Sequence, residues 1–243
     1  VRVNHSLKIP EIDATKVEDL KIEKEKNSSL LRLCSPETIT QQKKIIAFLK
    51  KINAAEIPII EIAQKCNEYI FKNFTYTKGI TDIETTLDEI LVHKKGVCQD
   101  FAHVLLQFLR TAGIPSRYVS GYICPNASGL RGEGATHAWV EFYTPTQGWL
   151  GLDPTNNIWT MDNHVKLSVG RDFYDCTPVK GTFKGYAKQT LSVSVSIGYE
   201  DGRQFEEVNN VKLRKVSEEV QRQLDLIEYQ HQLQLRQQQQ QQQ

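Results

Sequence analysis

The chain lacks most of the features that assign a function from bulk properties. Its five cysteines, at 34, 66, 98, 124 and 176, form no C-x-x-C pair, and their odd, scattered spacing reads as free thiols of a reducing compartment. No cysteines and histidines stand at the spacing of a zinc knuckle, so neither a metal nor a cofactor is expected. No apolar run approaches the roughly 20 residues of a membrane span. Charge of one sign is also missing: 30 Lys and Arg against 29 Asp and Glu leave a formal net charge of +1. That balance argues against nucleic acid or an anionic membrane as partner. The first residues, Val1-Arg2-Val3-Asn4-His5, carry neither an initiator Met nor a signal-type apolar stretch and read as a truncated or processed end that does not report targeting. A cytoplasmic location is the expectation.

What is present is enough apolar material for a core: 40% hydrophobic and 9% aromatic residues in 243. Three regions are expected. Residues 1–30 alternate at Val1, Val3, Leu7 and Ile9 and then become strongly charged from Lys16 to Lys26, which reads as an N-terminal strand and connector, or the remnant of a preceding β-domain. Residues 31–200 carry the core. Residues 201–243 are charged and then glutamine-rich, with Leu213, Val216, Val220, Leu224 and Ile227 at helical spacing and seven glutamines at the end. A helical tail is expected there, with self-association through it as a further partner expectation.

Within the core, Ser35-Pro36-Glu37 resembles a helix N-cap with proline at the first helical position. A second helix is predicted over 58–74, with Ile59, Ile62, Ala63, Cys66 and Ile70 on one stripe, and a short one over 86–92. From Phe101 to Ala112 apolar residues occupy nearly every side of the cylinder, the mark of a central helix. Gly113 and Pro115 stop it. Strand-like segments follow at 117–124, 137–143, 149–153 and 190–199. Helices first and strands after predict an α+β domain with an antiparallel sheet.

Cys98 falls at the amino end of that central helix, directly after Gly96 and Val97. A helix amino terminus offers unpaired N–H groups and partial positive charge, which favour a thiolate over a thiol. The strand 137–143 and the return strand 149–153 put His137 and Asp153 on one face if their pairing has even parity. Opposed directly, their β-carbons would lie roughly 4.5–5.5 Å apart; a slip by two leaves them diagonal, and a slip by one separates them. Cys98, His137 and Asp153 would then be nucleophile, base and orienting acid. Each also has a structural explanation: a packed cysteine, a strand histidine, a turn aspartate before Pro154. His103, about 140° around the helix from Cys98, cannot serve as the base, and His93 and His164 fall in expected loops without partners.

Four segments carry a closer likeness: Gly96-Val97-Cys98-Gln99-Asp100-Phe101-Ala102, Gly113-Ile114-Pro115-Ser116-Arg117-Tyr118-Val119-Ser120-Gly121-Tyr122, His137-Ala138-Trp139-Val140-Glu141 and Gly148-Trp149-Leu150-Gly151-Leu152-Asp153-Pro154-Thr155. In this order they resemble the bacterial transglutaminase-like superfamily of cysteine-protease-type proteins, over about residues 35–200. The resemblance implies a papain-like core, a nucleophile helix packed on an antiparallel sheet, and a Cys98-His137-Asp153 triad. The calcium sites of animal transglutaminases and the zinc-type cysteine pairs of peptide:N-glycanases have no counterpart here. The implied chemistry is attack of Cys98 on an amide carbonyl of a peptide or protein, giving a thioester that water or an amine resolves. Hydrolysis is the favoured outcome, transglutamination the alternative, and an idle peptide-binding module the third. The oxyanion would sit on the Cys98 backbone N–H and a second donor between Tyr69 and Tyr76.

Overall fold

The structure is a computed structural model, and it describes residues 10–11, 13–81, 85–124, 130–131, 136–160, 162–177, 193–198 and 204–209. A 3-10 turn at Val17–Asp19 leads into α1 (Leu20–Lys26) and α2 (Ser28–Arg32), followed by α3 (Gln42–Lys51) and α4 (Ile59–Asn73). Next come β1 (Thr75–Tyr76), α5 (Leu87–His93), β2 (Lys95–Gly96) and the central α6 (Cys98–Thr111). The sheet strands are β3 (Ser116–Ile123), β4 (Thr136–Thr144), β5 (Gly148–Asp153), β6 (Ile158–Trp159) and β7 (His164–Gly170), in spatial order β6-β5-β4-β3-β7. All neighbours in this sheet are antiparallel, whereas β1 and β2 pair in parallel. This is the α+β, papain-like arrangement that the sequence predicts.

The helices form where their periodicity places them. Ile59, Ile62, Ala63, Cys66 and Ile70 of α4 are all fully buried, a single stripe at helical spacing. Thr86 and Glu89 close a capping box at the start of α5, with the Thr86 N–H donating to Glu89 Oε2 at 2.8 Å. Helix α6 ends as expected, with Gly113 taking the left-handed φ of 84° that favours glycine. Its Phe101, Ala102, Val104, Leu105 and Leu109 are fully buried against α4 on one side and Ala138, Val140 and Phe142 of β4 on the other. The polar exceptions on α6 are paid for locally by hydrogen bonds. Buried Arg110 donates to the carbonyls of Ser116 and Arg171, and burial together with the Arg171 charge pulls its guanidinium down to about 10.

Several expectations fail. No helix opens at Ser35. Buried Gln107 of α6 accepts from the Glu37 N–H and donates to the Glu37 carbonyl, both at 2.8 Å, while Asp88 accepts from the N–H groups of Thr40 and Gln41. These bonds pin 35–41 outside a helix, so α3 starts only at Gln42. The charged stretch after Lys16 is helical rather than a connector, because Leu20 buries completely and Lys24 Nζ reaches the Gly113 carbonyl at 3.1 Å. The expected strand at 1–9 lies outside the described residues. Residues Gln204–Asn209, placed in a helical tail from the sequence, instead form a strand, β9, that pairs with β8 (Val193–Gly198). A ladder partner overrides weak local helical preference. The rest of the tail lies outside the described residues.

Strand β7 was not anticipated at all. It pairs with β3 across an irregularity between Ser120 and Gly121. Gly121 makes this possible: a β-carbon there would come within 2.1 Å of the Val165 carbonyl and 2.5 Å of the Trp139 ring. Replacing Leu105, fully buried, by alanine should cost about 2–5 kcal/mol and lower the urea midpoint of unfolding. The same truncation at Val92, 55% exposed, should stay within about 0.5 kcal/mol.

Candidate active site

Cys98 opens α6 and is half-buried. The turn before it is tied by Asp100, whose Oδ2 accepts from the Val97 N–H at 2.7 Å and from Thr81 Oγ at 2.6 Å. Gly96 serves this bond: a β-carbon on it would stand 2.5 Å from Asp100 Oδ2. Its small size is therefore explained by the capping carboxylate, where sequence reasoning gave it to substrate approach. Burial pushes the thiols of Cys34, Cys66, Cys124 and Cys176 up.

The structure brings His137 and Asp153 together. Strands β4 and β5 pair with Phe142 opposite Leu150 and Val140 opposite Leu152, a slip of two residues from the register that would set His137 directly across from Asp153. Parity is even, so the two side chains share a face as diagonal neighbours, and His137 Nε2 lies 2.9 Å from Asp153 Oδ2 with both side chains fully buried. The other ring nitrogen, Nδ1, is buried without a partner in hydrogen-bond geometry, and the Cys98 sulfur interacts with this ring. Burial alone would depress the imidazole's proton affinity. The Asp153 charge and the Cys98 sulfur outweigh it and hold His137 well above its ordinary value.

Asp153 does two jobs with one carboxylate. Its Oδ1 accepts from the backbone N–H groups of Thr155 and Asn156, at 2.8 and 3.3 Å, closing the turn that follows β5. Its Oδ2 faces His137 and also accepts from Asn156 Nδ2 at 2.7 Å. Burial would raise this acid, but the His137 charge and the converging donors hold it well below the carboxylate range. Asn67 of α4 steadies the same corner, donating to the Asp153 carbonyl at 3.4 Å and to Asn157 Oδ1 at 3.1 Å.

Sequence reasoning missed His164. Placed in a loop without a partner, it is instead the first residue of β7, with Nε2 3.4 Å from Asp153 Oδ2 and Nδ1 3.1 Å from Asn163 Oδ1. The available signal was the alternation Val165, Leu167, Val169 directly after it, which marks a strand. Trp139, only 2% exposed, stacks on His137 at 6.4 Å and meets His164 edge-on at 5.3 Å. His137, Asp153 and His164 present ligand atoms within 4.8 Å of one another. A cation among them would have to displace the His137, His164 and Asn156 donors from Oδ2, so the group reads as a hydrogen-bonded cluster.

Other candidates stay away from this centre. His93 ends α5 in an exposed position. His103 accepts from the Phe173 N–H at 3.2 Å, and burial pulls it down to about 4, as befits a packed neutral ring. Trp149 lies beneath the Arg117 guanidinium, 4.1 Å from its ring centroid, beside an ion pair of Arg117 with Glu141.

Residues 46–154 match the profile of the transglutaminase-like superfamily, a segment that includes Cys98, His137 and Asp153. The uncharacterized protein Rv2569c of Mycobacterium tuberculosis is 36% identical over 149 residues, which are 58% of this chain and 48% of that protein. This chain thus spans about half the length of that relative. A protein-glutamine gamma-glutamyltransferase of Pseudomonas aeruginosa is 33% identical over 105 residues, 41% of this chain and 16% of that one. A crystal structure named "Putative Cysteine Protease" from Cytophaga hutchinsonii matches 78% of this chain and 58% of its own with a TM-score of 0.52; at 23% identity this is a likeness of fold. Through the segment that runs from α3 to the end of β5, the chain is similar to the transglutaminase-like superfamily.

Proposed function

We propose that the chain is a cysteine-nucleophile amide hydrolase acting on a peptide or protein substrate through a thioester. The observation that carries this reading is the buried 2.9 Å contact of His137 Nε2 with Asp153 Oδ2, on a ring that the Cys98 sulfur also addresses. Asp153 accepts the Nε2–H and so leaves Nδ1 to exchange a proton with sulfur. With the proton already resting on the raised His137 ring, Cys98 Sγ adds to the amide carbonyl carbon. The oxyanion is held by the Cys98 backbone N–H, which at the first position of α6 has no intrahelical acceptor. A second donor comes from the 69–76 stretch, whose Tyr76 pairs with Gly96 beside the nucleophile turn. On collapse the carbon–nitrogen bond breaks and His137 returns its proton to the departing amine. Water, deprotonated by His137, then adds to the thioester and releases the acid and the thiol.

A second reading has an amine in place of water, and the likeness to the P. aeruginosa glutamyltransferase favours it. Both share every step up to the thioester. Mass spectrometry of acylated Cys98, followed as it decays with and without an added primary amine, separates them. Release as free acid in the presence of millimolar amine supports hydrolysis; release as the amide supports transfer.

Substituting Cys98→Ala should abolish turnover in a peptide-amide profiling screen, and Asp153→Asn should lower kcat by about 10³–10⁴-fold. Activity unchanged in either variant would sink the proposal. The buried pair also sets a pH dependence of stability. Folded His137 is raised to about 10 against about 6.5 unfolded, so its contribution is complete below pH 6.5 and fades as pH climbs toward 10. Asp153 is depressed, so its contribution is complete above its unfolded value of about 3.9 and is lost on acidification. The difference in urea midpoint between wild type and His137→Gln should therefore be greatest near pH 4–6.5 and shrink steadily above it.

A further inference from the structure

His164 lies outside the family-matched segment and takes no part in the transfer as written, yet it faces the same oxygen as His137. Its ring is 1% exposed, and the two imidazoles approach to 6.2 Å with a 63° tilt. Burying an imidazole forfeits its bonds to water, so each nitrogen must find a partner inside. Nε2 faces an ionised carboxylate and therefore carries the proton. Nδ1 faces the amide of Asn163, and turning that amide end for end lets Asn163 Nδ2, otherwise buried without a partner, donate to it.

We propose that His164 is a positioning residue for the amide-cleaving reaction. By donating Nε2–H to Asp153 Oδ2, it adds a second imidazole donor to that oxygen. Donors to the charged form keep a carboxylate ionised, so Asp153 does not draw the proton off His137. The second donor also fixes the carboxylate's rotation, which fixes the plane of the His137 ring and the direction of Nδ1. Trp139, packed against both rings, holds their separation. The inference rests on the proposed Cys98-His137-Asp153 triad.

The test needs no identified substrate: the rate of alkylation of Cys98 by iodoacetamide is followed by peptide mass mapping from pH 5 to 10. Wild type is compared with His164→Leu, which removes the donor, His164→Gln, whose amide restores one near the place of Nε2, and His137→Ala. Thermal unfolding reports whether each variant is folded. Expected is a roughly 10–100-fold slower reaction at pH 7 in His164→Leu, a pH profile displaced upward, and recovery to within about fivefold in His164→Gln. Should His164→Leu fail to fold, Asn163→Ala keeps the histidine but removes its support, and a displaced profile is again expected. Superimposable profiles for wild type and the folded variants would overturn the inference, as would a loss in His164→Leu that glutamine does not repair. Failure of the triad itself looks different: wild-type Cys98 would then alkylate no faster than in His137→Ala.

Discussion

The arrangement depends on keeping one carboxylate charged where no water reaches it. Taking an aspartate out of water costs several kcal/mol unless its lone pairs are met. Asp153 meets that cost with five donors drawn from three directions: two backbone N–H groups and an amide in the turn after β5, one imidazole on β4 and one on β7. None of these is near Asp153 in the unfolded chain except the turn. The carboxylate is thus the point where the sheet's register, the β5 turn and the β7 edge must all agree.

The helix side has the same logic with different chemistry. Placing a half-exposed sulfur at the end of a buried helix needs a rigid cylinder and a fixed start. The cylinder is supplied by the apolar faces packed on α4 and β4. The start is supplied by Asp100, which caps the Val97 N–H and is approached so closely that only glycine fits at 96. Two glycines therefore do comparable work at the two ends of the site: Gly96 admits a carboxylate, and Gly121 admits the Trp139 ring that packs against both histidines. Neither needs an unusual φ; both are required by close approach.

What could be read from the sequence follows from which physical period each feature obeys. The place of Cys98 at a helix start was legible because an all-round apolar run and a Gly-Val approach are local signals. The shared face of His137 and Asp153 was legible because strand side chains alternate with period two, and parity survives an error of two in register. The register itself was not, since a turn of Thr144 to Gly148 accommodates more than one pairing. Ser35 misled because the bonds that keep 35–41 out of a helix come from Gln107 and Asp88, far away in sequence. The strand that carries His164 was legible in its alternation, but its contacts were not, for the same reason: they are 11 residues away at Asp153 and across the sheet at Trp139.

The two explanations weighed for Asp153, turn residue and catalytic acid, turn out not to compete. One oxygen closes the turn and the other faces the imidazoles, so the turn is what aims the acid. Rotation about the Cβ–Cγ bond would break both sets of bonds together, which makes the orientation stiffer than either set would alone. A glutamate could carry the same charge but not the same turn, because its longer side chain cannot reach its own backbone two residues on. The choice of aspartate at this corner is thus set by local backbone chemistry as much as by the reaction, and the Pro154 that follows, by holding residue 153 in an extended conformation, serves both.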